Sequence, residues 1–204
     1  MQVEVESEIM DFRRKENLAA QGSSQATIDE APHMELPALH LKEGKGMKIG
    51  IIVHSQTGHT LLVGERIREK LQADGHEVQL RRMQNLEEGE TKKPAAVQLD
   101  SLPETARFDA LIFGAWVQAF TLCPGFTKYV EQIPDLGSED VSCFLTQQFR
   151  YKWMGGNRAM AKMKTLLEAK GAVVNSTAII NWSHKKREQQ IEELAEHFTS
   201  QYKA

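Results

Sequence analysis

Cysteine is nearly absent: Cys123 and Cys143 are the only two in 204 residues. They form no CxxC and stand beside no His/Cys cluster, so neither a disulfide framework nor a metal site is expected, and a reducing compartment is the default. No run of about 18 apolar residues occurs, which excludes a transmembrane helix in the ordinary sense. The N-terminus is acidic and lacks the basic-then-apolar layout of a signal peptide, so a cytoplasmic location is the expectation. Neither GxxxxGK[ST] nor GxGxxG is present, which argues against a triphosphate loop and a dinucleotide fingerprint. The formal net charge is only −3, too small to suggest nucleic acid or an anionic membrane as partner.

The little charge there is lies unevenly. Residues 1–46 hold nine Asp/Glu against five Lys/Arg, whereas 47–204 hold 19 against 20. The first segment also differs in pattern. "VESEIMDFRRKENLAA" predicts a short helix with Val5, Ile9 and Phe12 on one face, and "QGSSQ" then breaks it. Residues 1–46 therefore read as an N-terminal extension, partly helical or disordered. Two readings stay open: a loosely packed tail before Met47, which would itself serve as a start, or a docking segment.

From residue 47 a regular rhythm begins. Apolar strands are expected at 47–53, 108–115, 141–147 and 172–182, with an alternating one at 76–83. Amphipathic helices are expected at 58–75, 124–133, 157–171 and 183–202, the last capped by Ser183. Residues 84–107 are polar and hold at most a short, poor helix. Continuous apolar strands separated by amphipathic helices predict an α/β domain over 47–204, a five-stranded parallel sheet wound on both faces.

The first strand runs into "HSQTGHT" at residues 54–60, and a helix follows. Ligands of such sheets sit beyond the carboxyl ends of the strands. The first amides of a helix lack intrahelical acceptors and carry partial positive charge. Gly58 permits close approach, and Ser55, Thr57 and Thr60 bring hydroxyls to the same point. Together they make a cup for a tetrahedral anion. With no Lys or Arg in the run, a single phosphate monoester is the expected occupant.

This apolar strand, the S-x-T-G-x-T of Ser55, Thr57, Gly58 and Thr60, and the helix after it resemble the FMN-phosphate signature of the flavodoxin-like family. The resemblance covers 47 to about 200. It implies strand order 2-1-3-4-5 and bound FMN. It extends the phosphate loop to Gln56 and His59, and it implies a second loop, "AWVQAF", whose Ala115, Trp116, Val117, Gln118, Ala119 and Phe120 meet the flavin ring. A third contact falls on Thr146, Gln147 and Gln148. The third loop continues with Phe149, Tyr151 and Trp153 alternating with Arg150 and Lys152. That alternation reads as a lid over the ring or the contact of a homodimer, and its cations, with Arg158, suit an anionic substrate or the extra phosphate of NADPH.

Two functions remain. One is an FMN-dependent oxidoreductase taking hydride from NAD(P)H, as co-substrate, and passing electrons to a quinone, a flavin or another small acceptor. The other is a flavodoxin-type one-electron carrier docking to redox protein partners. Carriers of this family resemble one another in strong acidity, so the near-neutral 47–204 favours the oxidoreductase. No catalytic acid or base is assigned.

Overall fold

The computed structural model describes residues 46–86, 94–137 and 140–202. The expected helix around Val5, Ile9 and Phe12, and the connector up to residue 45, lie outside the described residues. The order of elements is β1 (Lys48–His54), α1 (His59–Ala73), β2 (Glu77–Met83), β3 (Ala110–Gln118), β4 (Thr121–Leu122), α2 (Pro124–Gln132), β5 (Asp140–Gln147), α3 (Gly156–Glu168), β6 (Val173–Asn181) and α4 (Arg187–Gln201).

The sheet runs β2-β1-β3-β5-β6, every neighbour parallel. Counting the long strands alone, this is the expected 2-1-3-4-5. The short β4 is an addition: it folds back antiparallel onto the end of β3, pairing Val117 with Leu122 and Gln118 with Thr121. Between β1 and β3 the direction of strand addition reverses, which opens a crevice at their carboxyl ends.

Alternation sends the strand side chains into two cores. On one face Leu111, Phe113 and Ile52 pack with Phe126 and Tyr129 of α2 and Met160 and Met163 of α3. On the other, Ile49, Ile51, Val53 and Ile112 pack with Val63, Ile67 and Leu71 of α1 and with Leu194 and Phe198 of α4. The spacing of those helix residues is the i, i+3, i+4 pattern of a buried stripe. Gly114 lies where these layers are tightest: a Cβ there would sit 2.3 Å from the Phe144 ring and 2.8 Å from Val53 Cγ1.

Two sequence expectations are corrected. Ser183 does not cap the last helix, which begins four residues later at Arg187. Its hydroxyl accepts instead from Gln148 Nε2 at 2.9 Å, so a neighbouring loop has claimed the cap. The third strand does not end at residue 115 but runs on to Gln118, because the β4 hairpin extends it. Of the polar stretch 84–107, the described part holds a single 3₁₀ turn, Pro94–Ala96, and a bridge between Asn85 and Leu99.

Candidate functional site at the carboxyl end of the sheet

The loop after β1 is built around Gly58, which precedes α1 with φ 96°, a left-handed conformation that glycine adopts without strain. Its consequence is a turn that leaves the amides of Thr57, Gly58, His59 and Thr60 with no acceptor among the described residues. The next amide, Leu61, is satisfied: it donates to Ser55 Oγ at 3.1 Å. Ser55 is therefore a buried prop of the helix start. Thr60 is buried too, its hydroxyl 2.9 Å from that of Thr146 at the end of β5. Thr57 is exposed. Gln56 turns away, its Oε1 accepting from the Asn85 amide at 3.1 Å.

The run itself has no cation, yet the fold brings two beside it. Arg82 of β2 donates through Nε to Ser55 O at 2.9 Å and through Nη2 to Gln56 O at 3.3 Å. It thus holds the loop's carbonyls on one side. Arg187 lies over the Trp182 ring, 4.4 Å from its centroid, and His59 stacks on the same indole at 3.8 Å. Burial, then the positive charge of Arg187, pushes the His59 pKa down to about 4. The signal for these arginines was not local: Arg82 and Arg187 are placed by strand register and by the start of α4.

In the second loop, Ala115 is buried in β3 and Trp116 and Val117 are half-buried. Gln118 is buried beside the turn. Ala119 and Phe120 form the two-residue turn with φ 46° and 61°. A hairpin turn with both residues left-handed ordinarily uses Asn-Gly, and non-glycine residues there cost about 1–2 kcal/mol each. The strain is held by packing, because the Phe120 backbone lies against Gly155, where a Cβ would come within 2.6 Å. The amides of Ala119 and Phe120 have no acceptor among the described residues.

Gln147 and Gln148 stitch the third loop. Gln147 Nε2 stands among three acceptors, Asn181 Oδ1 at 2.7 Å, Tyr151 O at 2.8 Å and Phe149 O at 3.1 Å, which share its two protons, while its buried Oε1 has no partner among the described residues. Gln148 is exposed and joined to Ser183. Beyond them, Phe149 stacks on Phe120 and Tyr151 on Trp153.

Beneath the crevice lies a network that sequence reasoning missed. The Trp116 indole N–H donates to His54 Nδ1 at 3.0 Å, and an indole nitrogen has no other role. Nδ1 is therefore the acceptor, so the proton sits on Nε2, which donates to Asn85 Oδ1 at 3.0 Å. Burial lowers the His54 pKa and keeps the ring neutral. Cys123 Sγ is 3.4 Å from the same Nδ1, but burial raises its pKa to about 11, so it is no nucleophile. A Cβ on Gly125 would fall 2.2 Å from His54 Nε2, which reserves that position for glycine. The signal was split over residues 54, 85, 116 and 125, which only the fold brings together.

No family model matches the chain, and no curated protein matches it in sequence. Solved structures do match in shape. Oxidised flavodoxin 2 from Bacillus cereus superposes with TM-score 0.54 at 21% identity, over 76% of this chain and 99% of that one. A flavodoxin from the domain Archaea gives 0.51 at 14%, over 78% and 100%. The Streptococcus pneumonia TIGR4 flavodoxin gives 0.51 at 15%, over 76% and 99%.

Proposed function

We propose that this chain, which has the flavodoxin-like fold, binds FMN at the crevice between β1 and β3 and serves electron transfer. The carrying observation is the row of four amides, Thr57 to Thr60, without acceptors among the described residues at the start of α1. A phosphate dianion supplies what that row lacks. The Ser55 prop removes the Leu61 amide from competition, and Arg82 keeps two loop carbonyls turned to itself, away from an anion. Of the paired hydroxyls of Thr60 and Thr146, one donates to the other, which leaves one proton to offer. Trp116, Ala119, Phe120 and Gln148 would hold the ring, with the two free amides of the strained turn as donors. FMN, when bound, supplies the redox chemistry; the protein's part is to bind, orient and limit access. The flavodoxins that share the fold support the same reading.

The finer reading is an oxidoreductase that takes hydride from NAD(P)H and reduces a small acceptor such as a quinone or a flavin. Near-neutrality of residues 47–204 supports it, since long-range steering between proteins scales with net charge. The carrier reading has one observation of its own, the exposed aromatic rim described below.

The test compares ligands that differ only in the phosphate. Flavin-free protein titrated with FMN and with riboflavin should prefer FMN by about a hundredfold, near 2.7 kcal/mol. Equal affinities would overturn the phosphate site. Loaded protein that consumes NAD(P)H with a soluble quinone is the oxidoreductase; loaded protein inert to both is the carrier.

A further inference from the structure

Among the described residues, every exposed Phe, Tyr or Trp lies on two adjoining loops: Phe120 on the hairpin turn, and Phe149, Tyr151 and Trp153 after β5. Trp153 is 74% exposed and Phe120 52%. These rings are ordered against one another. Phe120 and Phe149 are parallel within 7° at 5.3 Å, and Tyr151 and Trp153 within 10° at 6.1 Å. The backbone beneath is gripped by Gln147 through Phe149 O and Tyr151 O, and by the contact of Phe120 with Gly155. Such a surface meets a partner with little ordering cost.

Its charge is of one sign. Residues 146–158 contain Arg150, Lys152 and Arg158 and no Asp or Glu. All three are exposed and form no ion pair among the described residues. Some cations on the helix flanks, in contrast, are matched, as Lys70 is with Glu192 and Glu196, and Lys164 with Glu168. Lys185 and Lys186, exposed and without an ion pair among the described residues, add two more cations after β6, on the same end of the sheet.

We infer that this aromatic and cationic apron is the docking surface of an acidic electron-carrier protein. Aromatic anchors with arginine are the composition of interface hot spots, and the unmatched charges select a partner of opposite sign. A second copy would oppose Arg150 and Lys152 to themselves, which is repulsive. The carrier's redox role rests on the FMN reading; the docking does not. In the full reaction NAD(P)H loses two electrons and releases one proton, and two carrier molecules each gain one electron.

The experiment uses the full chain, loaded and flavin-free, titrated with an acidic plant-type [2Fe–2S] ferredoxin and with a basic c-type cytochrome at low and at physiological ionic strength. Expected is binding to the ferredoxin alone, weakened at least about tenfold by salt and likewise by R150Q/K152Q/R158Q. F149A/W153A should weaken binding while keeping the salt dependence, and K128Q on α2 should change nothing. The inference is overturned by no ferredoxin binding, by equal binding of the cytochrome, or by indifference to the triple substitution. It is equally overturned if the triple substitution acts only on 2′,5′-ADP, or if the apron instead mediates dimerisation or binds phosphatidylserine vesicles. Ferredoxin binding by protein that never takes up FMN would sink the flavin reading and spare the docking surface.

Discussion

Two loops at the same end of the sheet are built on opposite terms. The loop after β1 is polar and unstrained: glycine takes the one left-handed position, and buried hydroxyls prop a row of unused amides. The turn after β3 is apolar and strained: Ala119 and Phe120 take left-handed positions that glycine and asparagine usually fill, and aromatic rings stand in water. A relaxed loop with unpartnered donors suits a small charged group that completes it. A strained turn held from outside by Gly155 suits a fixed surface. Strain of this kind collects at functional positions.

The largest effect should come from removing the outside support. Gly155→Ala combines φ 100° with a Cβ 2.6 Å from Phe120 Cα. Urea unfolding should show a loss of about 3 kcal/mol or more, and the near-ultraviolet signal of the aromatic pairs should change. An unchanged midpoint would mean that the turn does not depend on that glycine.

Next is the polar loop. Thr57→Glu sets a carboxylate beside the free amides at an exposed position. FMN affinity should fall about a hundredfold with the melting temperature unchanged. A loss of stability in place of affinity would make Thr57 structural.

Trp116→Phe removes one donor and leaves His54 Nδ1 short of its partner. Stability should drop by about 1–2 kcal/mol, and the His54 ring resonances should report altered tautomer populations.

Acid tests both histidines. Each has a folded-state pKa below 6.5, so the unfolded chain takes up protons first. Their stabilisation is complete above about 6.5 and is lost as pH falls, for His59 down to about 4. His59→Gln should flatten that part of the acid limb. A bound phosphate would favour His59 in its protonated form, so FMN binding below pH 6.5 should take up a proton, which calorimetry in buffers of different ionisation enthalpy can count.

The smallest effect is expected from Ala119→Gly, which relieves one left-handed residue and frees the unfolded chain in return. A net gain of about 0.5–1 kcal/mol is the prediction. A loss would show that φ 46° is no strain at that site.

Sequence alone determined the parallel strands and the polar loop, because each is written in contiguous residues, whereas the strand order came only with the family resemblance. A run such as "IGIIV" cannot be buried except between two layers, and "SQTGHT" places glycine and hydroxyls within one turn of a helix start. Ser183 misled for the matching reason: a cap is a local signal, and Gln148, 35 residues away, outbid the helix for it. Only the tertiary structure decided which hydroxyls are used up, that Arg82 and Arg187 stand beside a loop without cations, and that Trp116, His54 and Asn85 share protons. The contacts that carry this, from Gln56–Arg82 to His59–Trp182, join residues 26 to 123 positions apart, and no local pattern encodes a distance that the winding of strands and helices sets.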